Sequence, residues 1–138
     1  MNTKKMRFLD TNFLLRYFTN DDEEKARAVL ELLKRVEKNK EKIITSPLVM
    51  FETIFTLQSY YGLSRKEIRN LLLPVINLRG LKLDLKDVFE KALEAYPKMK
   101  ASFADIFNYY FMLKHGTSEI YSFDEDFDKM EGIKRIAP

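Results

Sequence analysis

The stretch Met6-Arg7-Phe8-Leu9-Asp10-Thr11-Asn12 decides how the rest of this chain is read. A short apolar run ends in an acid and then in turn and cap formers. That is the pattern of a buried strand with Asp10 at its carboxyl end, and Phe8 and Leu9 are both expected in the core. Open α/β sheets place their ligand sites beyond the carboxyl ends of strands. An acid after a strand is also a common helix cap, so Asp10 gains weight only from company. Glu52, Asp105 and Asp124 supply it, each just beyond an expected strand or near a helix start.

Outward from Asp10, Phe13 to Phe18 continue as a short apolar helix, and Asp21 or Asp22 can cap the next. There Ala26, Val29, Leu30, Leu33 and Val36 recur at helical spacing, and Lys38-Asn39-Lys40 ends it as a solvated basic run. Ile43-Ile44-Thr45 reads as the second strand. Ser46-Pro47 is a cap followed by proline at the first helical position. Leu48, Phe51, Phe55 and Tyr60 are expected on the apolar side of that helix, with Glu52 beside the stripe. An acid there is partly desolvated unless paired; it reads equally as a flanking glutamate reaching water. Gly62 ends the helix.

Ser64-Arg65-Lys66-Glu67 is a capping box, opening a helix that carries Ile68, Leu71, Leu72, Val75 and Ile76. Pro74 predicts a kink or an early end. After the Arg79-Gly80 turn, Leu81-Lys82-Leu83 alternates as a third strand. Asp84 can cap a helix with Val88, Phe89, Ala92 and Leu93 inward, stopped by Pro97. Ser102-Phe103-Ala104-Asp105 starts the next helix and has the spacing of a second capping box, which gives Asp105 a purely structural alternative. That helix is apolar on nearly every face and is expected to be central and buried. His115 is read as a cation at its carboxyl end. Ile120 to Phe123 is the fourth strand, Asp124 to Asp128 an acidic turn, and Ile133 to Ile136 a fifth, edge strand.

Helices therefore alternate with short strands along one expected domain, residues 1–138, without repeat, linker or low-complexity segment. Strands separated by helical crossovers imply an α/β fold, a three-layer α/β/α sandwich around a parallel sheet of four to five short strands. Right-handed crossovers put every carboxyl end on one side, so convergence of the four acids follows from the fold reading.

Composition narrows the chemistry. With 46% hydrophobic and 33% charged residues, the chain has the balance of one soluble domain long enough for a real core. It has no cysteine and one histidine, so disulfides, thiolate zinc sites and histidine-rich metal sites are excluded. A metal here is held by oxygen, which favours Mg2+ or Mn2+. No apolar run approaches the roughly 18 residues of a membrane span, and no signal segment follows Met1-Asn2-Thr3-Lys4-Lys5; a cytoplasmic protein is expected. The net charge of +3 favours an anionic partner only weakly.

Phe8-Leu9-Asp10-Thr11-Asn12, Glu52, Phe103-Ala104-Asp105 and Ser122-Phe123-Asp124-Glu125-Asp126-Phe127 together resemble the PIN domain family, and within it the VapC-type toxins of toxin–antitoxin pairs. Their order and spacing fit over nearly the whole chain. The family pattern often has threonine where this chain has Ser122, which keeps the hydroxyl. The resemblance implies a metal-dependent endoribonuclease, a homodimer and a cognate antitoxin. It makes Asp10, Glu52, Asp105 and Asp124 the catalytic, metal-holding acids, Asn12 and Ser122 supporting residues, and Asp126 an extra ligand; Asp128 matches no position. Crowded carboxylates repel one another until a hard divalent cation relieves them. One or two such ions can orient a water, lower its pKa and stabilise the phosphate. The implied substrate is single-stranded or loop RNA, with Lys4, Lys5, Arg7, Arg16, Lys98 and Lys100 available to hold its backbone.

Rival readings fare less well. Aspartate-based phosphatases want a second aspartate two positions on, where this chain has Asn12. A receiver domain wants paired acids before its first aspartate site, and none appear. A catalytically silent interaction module, with the acids as caps, predicts no metal binding. A processing nuclease without an antitoxin shares the chemistry and differs only in partners.

Overall fold

Three short strands, β1 (Arg7–Phe8), β2 (Ile43–Thr45) and β3 (Leu81–Leu83), pair in parallel in the order β1-β2-β3. Arg7 stands opposite Ile43, and Ile43 opposite Leu81. The computed structural model describes residues 5–137, divided into one unit ending at Lys86 and another beginning at Asp87. Parallel neighbours need long crossovers. In the first unit these are the helices α1 (Thr11–Thr19), α2 (Glu23–Glu37), α3 (Pro47–Ser59) and α4 (Arg65–Ile76). Helix α1 packs on α2 and α3, and α3 on α4.

Local signals set the helix ends. The Asp22 carboxylate accepts from the Lys25 N–H, and the Ser46 hydroxyl from the Val49 N–H with Pro47 in the first turn. Ser64 and Glu67 close a reciprocal capping box, at 3.1 and 2.9 Å. Helix α4 runs two residues past Pro74 and stops at Ile76. Gly80 sits where the chain turns into β3. A Cβ there would collide with the Glu41 carbonyl and lie 2.9 Å from that of Val36. Its N–H donates to Val36 and its carbonyl accepts from Ile43, which ties the end of α2 to the sheet.

The buried residues correct two expectations in this unit. Leu9 is buried but Phe8 is exposed, because successive strand side chains leave on opposite faces and only one of these faces the core. In the short apolar helix after Asp10, Leu14 is fully buried and Phe13 is exposed. On α3 the inward residues are Val49, Met50, Thr53, Ile54 and Leu57, whereas Leu48, Phe55 and Tyr60 are exposed. Helix α3 is apolar most of the way round, so spacing alone could not choose its face.

The second unit holds α5 (Lys86–Ala95, its first residue apart), α6 (Phe103–Lys114), β4 (Glu119–Tyr121), a 3-10 helix (Glu125–Lys129) and β5 (Lys134–Ile136). Strands β4 and β5 pair in parallel, separately hydrogen-bonded from the first three. Its core is aromatic: Phe89 lies 4.7 Å from Phe107 and Tyr96 meets Phe103 edge-on at 5.3 Å. Val88, Phe89, Ala92 and Leu93 point inward as expected. Helix α6 is not buried all round, since Phe111 and Leu113 are exposed while Phe103, Ile106, Phe107 and Met112 are inside. Strand β4 ends at Tyr121, short of the expected Phe123, because the Ser122 hydroxyl accepts the Asp124 N–H and bends the chain.

Candidate metal centre

In the first unit, the residue before Asp10 is held from both sides. The Leu9 N–H donates to the Ile44 carbonyl at 2.8 Å, and the buried Thr45 hydroxyl donates to the Leu9 carbonyl at 2.8 Å. Asp10 then occupies the N-cap position of α1, yet its side chain makes no capping bond. The plain alternative, an acid present as a cap, therefore finds the position but not the interaction. Glu52 is exposed rather than desolvated, and accepts a hydrogen bond from the Thr11 hydroxyl at 3.3 Å. The residue after Asp10 thus touches Glu52. Asn12 is exposed and lines a hollow of about 690 Å³ along α1 and α2.

In the second unit, carboxylate oxygens of Asp105, Asp124 and Asp126 lie within 4.8 Å of one another. Asp105 stands in the first turn of α6, where its N–H donates to the Ser102 hydroxyl at 3.1 Å. Asp124 opens the 3-10 helix and accepts from the Asp126 N–H at 2.9 Å. Burial above all pushes the Asp105 carboxyl above its ordinary value of 3.8; the Asp124 and Asp126 charges push the same way, and the Ser102 hydroxyl opposes them. Three oxygen donors, two of them half-buried and Asp105 loaded with like charge, fit a hard divalent cation. The Ser122 hydroxyl accepts from the Asp124 N–H at 3.0 Å. Asp128 takes no part: Arg135 binds both its oxygens, at 2.9 and 3.0 Å.

The Thr11 and Thr45 hydroxyls are additions to the site groups expected from the sequence. A threonine directly after the first acid was the available signal for Thr11; Thr45 had none, since its bond to Leu9 crosses between strands. Of the cations offered for a phosphate backbone, Arg16 pairs with Asp21 at 3.5 Å and Arg7 approaches Glu41 at 4.0 Å. Lys5, Lys98 and Lys100 are exposed, and Lys4 lies outside the described residues. Among the described residues, no helix is long and apolar enough to cross a membrane.

The family model for the PIN domain matches residues 7–133, taking in most of both units. The chain belongs to the PIN domain family. PIN domains are generally metal-dependent nucleases that act on RNA, and the acid trio is compatible with that class. A comparison with curated proteins found no match.

Proposed function

We propose that this protein is a Mg2+- or Mn2+-dependent endoribonuclease and the toxin of a VapBC-type toxin–antitoxin pair, acting in the cytoplasm. Its catalytic acids are Asp10, Glu52, Asp105 and Asp124, with Asp126 as a further metal ligand and Asn12 and Ser122 in support. The observation that carries the reading is the Asp105, Asp124 and Asp126 cluster in a chain of nuclease family. Asp10, with no capping bond, has its carboxylate uncommitted to α1, and Glu52 is drawn toward the same helix start by Thr11.

A divalent cation held by such carboxylates would supply charge for the phosphate and lower the pKa of a water, which attacks once it has lost its proton. The protein's own groups do the rest. Ser102 and Ser122 fix the backbone at Asp105 and Asp124, and the Asp126 N–H orients the Asp124 carboxylate.

Apolar surface supports the partners. Hollows of about 690 and 520 Å³ run along α1 and α2, edged by Phe13 and Leu15 in one and Tyr17 and Phe18 in the other. They suit an amphipathic antitoxin segment. Exposed Leu48, Phe55 and Tyr60 suit a second copy of the chain.

The deciding experiment is cleavage of total cellular RNA by the wild type in Mg2+ or Mn2+, with Asp10→Asn as control. Metal-dependent cleavage lost in the variant supports the reading, and wild-type activity in Asp10→Asn removes it. Sedimentation tests the dimer. A small reading frame beside the gene, co-purifying when expressed, tests the antitoxin.

A further inference from the structure

We propose that Tyr121 and Phe123 form a stacking platform for unpaired bases of the RNA strand whose phosphodiester meets the acid trio. The inference rests on the nuclease reading above and names what that site recognises.

Two large aromatic side chains stand nearly bare here, Tyr121 at 80% and Phe123 at 78% exposure. Among the described residues, neither ring packs on another. Phe123 directly precedes Asp124, and the backbone between the rings is pinned twice. The Ser122 N–H donates to the Ile136 carbonyl at 3.2 Å, and the Ser122 hydroxyl accepts from Asp124. The rings are therefore tied to the same short segment that positions the metal ligand, with Cα atoms at most about 7 Å apart.

Electrostatics explains why aromatic rings, and not lysines, suit this place. Between residues 119 and 136 stand six acids, Glu119, Asp124, Glu125, Asp126, Asp128 and Glu131, against Lys129, Lys134 and Arg135. Arg135 is already taken by Asp128. A phosphate backbone gains little attraction from this segment, although the chain as a whole is positive. The acids are required for metal, so affinity for the adjoining nucleotides has to come from uncharged contacts. Base stacking on aromatic faces supplies that. It needs bases whose faces are open, which selects unpaired strands over duplex.

The test is fluorescence anisotropy with an unstructured, labelled oligoribonucleotide, free and in a duplex, with EDTA present to stop metal-dependent cleavage. Wild type is expected to favour the single strand. Phe123→Ala and Tyr121→Ala should each weaken that binding roughly 5- to 150-fold, with the dependence on salt unchanged. Phe123→Tyr and Tyr121→Phe should retain it, and in cleavage assays the alanine variants should raise KM more than they lower kcat. Melting temperatures near wild type are expected for side chains this exposed. Alanine variants that bind as wild type does, in a protein that cleaves RNA, would overturn the platform and leave the nuclease standing. A wild type that neither binds nor cleaves RNA sinks both. Unchanged RNA binding together with lost self-association would overturn it and assign the rings to a protein contact.

Discussion

Arg135 grips Asp128 through two hydrogen bonds, from Nε at 2.9 Å and from a terminal nitrogen at 3.0 Å, while Asp126, two residues away, turns its carboxylate to Asp105 and Asp124. Acids two residues apart in one turn thereby have different partners. Asp128→Ala is expected to lower the melting temperature slightly and to leave the stabilisation by manganese intact. Asp126→Ala should do the reverse, keeping metal-free stability and reducing the manganese shift. Melts of both variants with and without manganese separate the two roles; equal manganese shifts would remove Asp126 from the ligand set.

Asp10→Asn is expected to reduce cleavage to background while leaving the fold intact. Asparagine caps helices about as well as aspartate, and the Asp10 side chain makes no capping bond in any case. What the variant loses is a charge available to a cation, so manganese should stabilise it less than wild type. Paired melts and cleavage assays at neutral pH read both effects.

Asp105 gives a pH signature in the metal-free protein. Its carboxyl titrates above 3.8 in the folded state, chiefly through burial, so the fold binds that proton more tightly than the unfolded chain does. The stabilisation is complete below about pH 3.8 and is lost as the pH rises through the folded value. Asp105→Asn should therefore melt higher than wild type at neutral pH without metal, and the gap should close as the pH falls towards 3.8. A gap that persists in acid would mean that Asn stabilises this position for some other reason.

Gly80→Ala tests the junction of α2 with the sheet. The added Cβ would press on the Glu41 and Val36 carbonyls, which are backbone and cannot swing aside. A loss of about 1–3 kcal/mol is expected in denaturant titration. An alanine variant as stable as wild type would show that this turn opens without cost.

Much of the fold was legible because its signals close over a few residues. The caps at Asp22, Ser46, Ser64 and Ser102 are hydrogen bonds to N–H groups three positions on, and all four form where residue order predicts them. Strands β2 and β3 fall where short apolar runs lie between turn signals. Of the site, the closeness of Asp105 and Asp124 was expected, and a carboxylate oxygen of Asp126 lies within 4.8 Å of theirs.

The sequence by itself determined that helices alternate with short parallel strands, that no thiolate is available to a metal, and which acids follow strands or start helices. Tertiary structure alone decided which side of α3 faces inward, that Phe8 is exposed, and that Asp128 belongs to Arg135. It also decided that Thr11 meets Glu52 and that Thr45 holds the carbonyl before Asp10. The division has one physical cause. Propensity, capping and periodicity act within a turn or two of the chain, whereas burial and side-chain pairing depend on surfaces brought together from distant segments.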